Sequence, residues 1–150
     1  MRLRLLCMMV AGLLGIVASG CDEALSDVTG PTRDLQPTFS SIQRDIFDQA
    51  DSAGRPACTQ CHRPGVGPFV AGGLNLTAGA SYATLVGTNS FLKPSVRRVV
   101  PGDPENSYLI HKLEGRTGIV GVRMPLGGPY LTDGQIRVIR RWIELGAPND

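Results

Sequence analysis

The pentapeptide Cys58-Thr59-Gln60-Cys61-His62 constrains this chain more than any other stretch of it. It reads C-x-x-C-H, the attachment signal for a c-type haem. Two thiols three positions apart can form thioethers to the two vinyl groups of one porphyrin, and the adjacent His62 can reach the iron from the proximal side. The rest of the chain suits a wrapping role. Between residues 54 and 102 it is dominated by Gly and Pro, and it has only eight aromatic residues: four Phe, three Tyr and one Trp. Such a loop-rich chain struggles to bury enough apolar surface to offset its ordering entropy. One covalent haem c, large and mostly apolar, supplies the missing core.

The first twenty residues read as an export signal rather than as part of a domain. Arg2 and Arg4 form a basic start, and residues 5–17 are an apolar run too short for a transmembrane helix. The run ends in Ala18-Ser19-Gly20-Cys21, which is similar to a bacterial lipobox, with Ala18 where Leu is commoner. Cys21 is then the lipidation site and the first residue of the mature chain. Cys7 is lost with the signal, so Cys21, Cys58 and Cys61 each have a role and none is left for a disulfide, although an exported protein could form one. Losing Arg2 and Arg4 leaves 13 of the 15 Lys and Arg against 13 Asp and Glu. A formally neutral chain without a basic stripe argues against nucleic acid as a partner.

Residues 21–37 mix acids, Gly and Pro without helical periodicity and read as a lipidated N-terminus and flexible tether. A domain over 38–150 follows. Ser40 and Gln43 form an apparent capping box for a helix over 40–50, with Ile42, Ile46, Phe47 and Ala50 on one side. Short helices are expected over 81–86 and 106–113, the latter capped by Asn106 and closed by Gly115. The clearest helix opens on a second capping box, Thr132 with Gln135, and closes at Gly146 and Pro148. Ile136, Val138, Ile139, Trp142, Ile143 and Leu145 span its apolar arc. Arg137, Arg140 and Arg141 fall on the other side, most simply a solvated face, or more sharply a docking patch for a redox partner protein. The expected class is all-α: three to five helices wrapped with long loops around one haem.

A six-coordinate iron needs a second axial group, and few are available. Met1, Met8 and Met9 lie in the signal, leaving Met124, while His111 is the only other His. Met124 lies in Arg123-Met124-Pro125 within a Gly/Pro-rich loop that can bring a thioether onto an iron face. His111 lies on a helical wheel roughly opposite Leu109, Ile110 and Leu113, and so points away from a buried group. Met124 is the favoured ligand, with His111 the competitor and Lys93 and Lys112 distant alternatives. A His/Met pair leaves no open iron position, which suits outer-sphere electron transfer rather than catalysis, and Met ligation raises the reduction potential.

From about residue 39 to 147 the chain resembles the single-haem cytochrome c domains common in bacterial lipoproteins, related to the class I cytochrome c fold. The resemblance rests on the Phe39 and Phe47 region before Cys-x-x-Cys-His and on Gly73-Leu74-Asn75-Leu76 after it. It continues through Pro101-Gly102-Asp103-Pro104, Ser107-Tyr108-Leu109, Arg123-Met124-Pro125 and Trp142-Ile143-Glu144-Leu145-Gly146-Ala147. It implies that His62 and Met124 are the axial ligands and that the first and last helices cross near the haem edge. It also implies that Leu74 and Leu76 line the haem and that Pro64 or Pro68 orients the His62 ring. Arg97, Arg98 and Arg123 become candidates for meeting the propionates, although each read singly is a surface charge.

The expected function is therefore a membrane-tethered electron carrier facing the periplasm of a bacterium, not an enzyme. It is held to the membrane by its lipid and meets redox partner proteins. A haem enzyme or ligand sensor with a labile Met124 is the alternative. A zinc or thiol-disulfide module is a third reading. It lacks a βαβ context, and a zinc site would need Cys58, Cys61, His62 and His111 together. No residue pattern specifies an oligomeric state, an electron donor or an acceptor.

Overall fold

Phe39, Ile42, Ile46 and Phe47 recur at helical spacing, and in the computed structural model all four are buried in a single core. The structure describes residues 32, 34–67 and 72–150. The signal, Cys21 and most of the tether lie outside them, as does Pro68. Among the described residues there are four short α-helices: α1 (Phe39–Ile42), α2 (Ser81–Leu85), α3 (Tyr108–Glu114) and α4 (Asp133–Glu144). A π-helical turn, Gln43–Phe47, continues α1, and a 3-10 turn spans Cys58–Gln60. No strand forms among the described residues, only isolated bridges between Val86 and Val99 and between Asn89 and Arg97. The described residues form helices joined by long loops, compatible with the all-α expectation.

The start of α1 differs from the sequence expectation. Its cap is Thr38, not Ser40, with the Thr38 hydroxyl accepting the Ser41 N–H at 3.3 Å. Asp150 supplies two further acceptors, its carboxylate for the Phe39 N–H at 2.7 Å and its carbonyl for the Ser40 N–H at 2.9 Å. A partner 111 residues away in the chain cannot be read from a local pattern. Gln43 is not part of a capping box either. Its buried amide donates to the Leu76 carbonyl at 2.9 Å and to Asp48 at 3.0 Å, and accepts from the Ser81 hydroxyl at 2.5 Å. The helical stretch stops at Phe47 rather than Ala50, and the Ile46 and Gln49 carbonyls bond the Arg55 guanidinium instead.

The last helix forms as expected. Thr132 and Gln135 make a reciprocal capping box, and Ile136, Ile139, Trp142 and Ile143 are buried. Each fully buried side chain of this size contributes roughly 1.5–3 kcal/mol. Leu145 falls beyond the helix end and is exposed, while the Ala147 N–H turns back to the Trp142 carbonyl at 3.0 Å. The first and last helices meet through the Phe39 and Trp142 rings, 5.4 Å apart, and Tyr82 stands edge-on to Phe39 at 5.2 Å. Arg140 is not simply solvated. It pairs with Glu105 and Glu114, and Arg116 pairs with the same two carboxylates, bridging α3 to α4.

Asn106 does not cap α3. It bonds Asp103 through both its backbone and side chain, and Ser107 occupies the cap position. Gly115 ends α3 in the left-handed region at φ 72°. The described part of the expected tether is docked rather than free. Leu35 is 4% exposed within the core, Gln135 donates to the Thr32 hydroxyl at 3.1 Å, and the Gln36 N–H meets the Ser41 hydroxyl at 3.0 Å. The domain's packing thus begins before position 38. No helix of the described residues is long and apolar enough to cross a membrane.

Candidate functional site

The 3-10 turn folds the C-x-x-C-H segment on itself because one carbonyl serves two donors. The Cys58 carbonyl accepts the Cys61 N–H at 3.2 Å and the His62 N–H at 2.9 Å. Both sulfurs and the imidazole therefore start from a single turn. No disulfide joins the two cysteines, Cys58 half-buried and Cys61 exposed. Thr59 ties the turn to the core end of the π-helical turn through the Phe47 carbonyl at 3.2 Å, and the Cys58 sulfur lies 3.5 Å from the Ile46 carbonyl. Burial pushes the Cys58 thiol up to about 11, opposed in part by the positive charge of Arg55.

Arg55 is the residue that sequence reasoning passed over. Its side chain is fully buried three positions before Cys58. It donates to Asp51 at 3.0 Å and to the Ile46, Gln49 and Pro56 carbonyls at 2.9–3.3 Å. Asp51 in turn accepts the Ala53 and Arg55 N–H groups, an Asx-type turn. Asp51 ahead of Gly54 is the one local signal that could have found it. Burial of the arginine itself has none.

On the far side of the turn, the His62 carbonyl accepts the Leu76 N–H at 2.8 Å. That bond draws Gly73-Leu74-Asn75-Leu76 alongside the histidine. Leu76 is buried, Leu74 is half-buried against the core, and Leu74 lines a cleft of about 420 Å³ with Arg63, Pro64, Gly73 and Asn75. Arg98 holds this wall. It is 8% exposed and donates to the Gly72, Gly73 and Thr84 carbonyls at 2.8–3.2 Å. The surface-charge reading of Arg98 is thus corrected, whereas Arg97 is exposed. Gly73 has φ 62° and approaches the Phe91 side chain so closely that a Cβ would lie 3.3 Å from it.

Met124 sits on a different segment. It is half-buried, and its N–H donates to the Lys112 carbonyl of α3 at 2.8 Å. The neighbouring Arg123 donates to the Leu113 carbonyl at 2.7 Å and lies 4.0 Å over the Tyr130 ring. The ammonium groups of Lys93 and Lys112 are occupied with loop carbonyls, Gly118 for the first and Val120 and Val122 for the second. His111 is half-buried rather than fully solvated. Its Nε2 lies 2.6 Å from the Glu105 carbonyl, and its ring meets Tyr108 edge-on at 6.1 Å. The structure thus gathers Cys58, Cys61 and His62 on one turn, carries Met124 on the loop hung from α3, and engages His111 with Glu105.

Among the described residues, the exposed large apolar side chains other than Leu145 fall in two stretches, Phe91 with Leu92, and Val120, Val122, Leu126 and Tyr130. Leu126 is 73% exposed and Phe91 52%. Phe91 and Leu92 lie against Gly73 and Gly72, next to the cleft. Among the described residues, no three His, Cys, Asp or Glu side chains converge as a metal-ion site, and no buried side-chain nitrogen or oxygen lacks a partner. Set against protein-family models, curated proteins and solved structures, the chain matches none.

Proposed function

We propose that this chain is a c-type cytochrome that carries single electrons, with one haem bound covalently by Cys58 and Cys61 and ligated by His62 and Met124. The observation that carries the reading is the turn itself: two cysteine sulfurs and an imidazole start from one hydrogen-bonded turn next to the Leu74-lined cleft. The residues fit such a group on two further counts. The exposed Phe91 and Leu92 lie against Gly73 and Gly72, of which Gly73 lines that cleft, and a second exposed apolar stretch brackets Met124 in the sequence. The helical, strand-free fold and the meeting of Phe39 with Trp142 are compatible with a cytochrome c-like arrangement.

Haem, when bound, supplies a one-electron couple, and a His/Met pair sets it toward high potential. The chain's own residues do the rest. Cys58 and Cys61 fix the group in place. The Leu76 to His62 bond and the Arg98 brace on Gly72 and Gly73 hold one wall, and the α3 bonds hold the loop of Met124. Cys21 anchors the mature chain to a bacterial membrane, with the domain facing the periplasm and meeting redox partner proteins there. Oxidised and reduced absorption spectra test the ligand set. A thioether-to-iron charge-transfer band toward the red end of the oxidised spectrum is expected, and it disappears in Met124→Ala. Survival of the band in that variant removes Met124 from the site.

A further inference from the structure

We infer that Lys112 is the positioning residue for Met124, gripping the ligand loop at alternate residues; this rests on the His/Met reading above. The side-chain ammonium of Lys112 donates to the Val120 carbonyl at 3.0 Å and to the Val122 carbonyl at 2.5 Å. The backbone carbonyl of the same residue accepts the Met124 N–H at 2.8 Å. One residue therefore holds positions 120, 122 and 124 in succession. Gly121, between the two gripped carbonyls, has φ 75°, the left-handed region that favours glycine.

The other clamps lie farther from the thioether or act on its neighbour. Tyr108 accepts the Val120 N–H at 2.7 Å, Lys93 donates to the Gly118 carbonyl at 2.8 Å, and Arg123 donates to Leu113. The loop is therefore fixed by bonds to protein groups, three of the four residues that make them, Tyr108, Lys112 and Leu113, lying on α3 and the fourth being Lys93. The core holds α3 in turn, with Ile110 and Leu113 buried. How often the thioether swings away is then governed by the Lys112 grip rather than by the ligand bond alone. Hydrogen bonds from a charged donor are the stronger class, and here a single ammonium makes two.

The test is carbon monoxide binding to the reduced, haem-loaded full-length protein, because carbon monoxide enters only when Met124 leaves. Lys112→Met keeps the apolar stem and removes the donor. It is expected to speed binding about tenfold, equivalent to about 1.4 kcal/mol of loop opening. The charge-transfer band should disappear at a lower denaturant concentration than the far-ultraviolet circular dichroism. Lys112→Arg should restore most of the slow binding, and Lys93→Met should change it by less than about threefold. If Lys112→Met does not accumulate with haem, Lys112→Gln carries the same test with an expected rise of about threefold. Binding within twofold of wild type, with the band and the dichroism lost together, overturns the inference. A wild-type protein lacking the band and binding carbon monoxide at once would instead overturn the His/Met reading, which separates the two failures.

Discussion

Replacing Arg55 by Met is the sharpest perturbation of the scaffold beneath the C-x-x-C-H turn. The guanidinium is fully buried and the Asp51 side chain is only 9% exposed, so neither group is screened by solvent. Removing one partner of a buried ion pair costs about 3–5 kcal/mol, because the other charge stays buried. The Ile46, Gln49 and Pro56 carbonyls lose a charged donor at the same time, worth roughly 1.5–3 kcal/mol for a well-formed bond. These losses overlap and do not add, so about 4 kcal/mol is the expected destabilisation. Against a total of about 5–15 kcal/mol for a domain, that is a large share. At about 4–8 °C per kcal/mol, the melting temperature should fall by roughly 15–30 °C. Urea unfolding of the full-length protein, followed by circular dichroism, reads the change. Asp51→Asn combined with Arg55→Met should lose less than the two single losses added, with a coupling of roughly 1–3 kcal/mol. A loss below about 1 kcal/mol for Arg55→Met, at unchanged denaturant slope, would refute the role given to this pair.

Three further outcomes are expected. Glu105 is held down to about 2 by its bonds to Arg116 and Arg140. A carboxylate with a depressed folded-state pKa adds stability above its ordinary value near 4.5, and loses it as the pH falls toward about 2. Urea midpoints measured across that window should fall more steeply in wild type than in Glu105→Gln, and equal slopes would count against the network. Gly115→Ala places a Cβ in the left-handed region, 2.9–3.2 Å from the Arg123 side chain. It should cost about 1–2 kcal/mol, read by the same titration. Cys21→Ser should move the haem-stained chain from the membrane fraction to the soluble fraction, and retention on membranes would argue against the lipid anchor.

What could be read in the sequence follows physical rules that act locally. The last helix announced itself because the Thr132 to Gln135 box and the 3.6-residue apolar period are both short-range signals. The stop at Gly115 was equally legible, since a left-handed residue favours glycine. Asp150 capping α1, and Arg98 and Lys112 gripping loop carbonyls, depend on segments that only the folded chain brings together. Periodicity also treats arginine and glutamine as surface residues, so it gave no sign that Arg55 and Gln43 are buried, a burial offset by bonds to backbone carbonyls. Leu35 was hidden for a related reason, as one apolar residue in a polar stretch carries no period.

The account turns on what Cys58 and Cys61 hold, and intact mass spectrometry of the mature chain, expressed with a c-type haem maturation system, reads that directly. The expected mass is the polypeptide plus one haem, carried through denaturation, and Cys58→Ser with Cys61→Ser should lose it. A chain recovered at its bare polypeptide mass, with both thiols open to alkylation, would contradict the central claim.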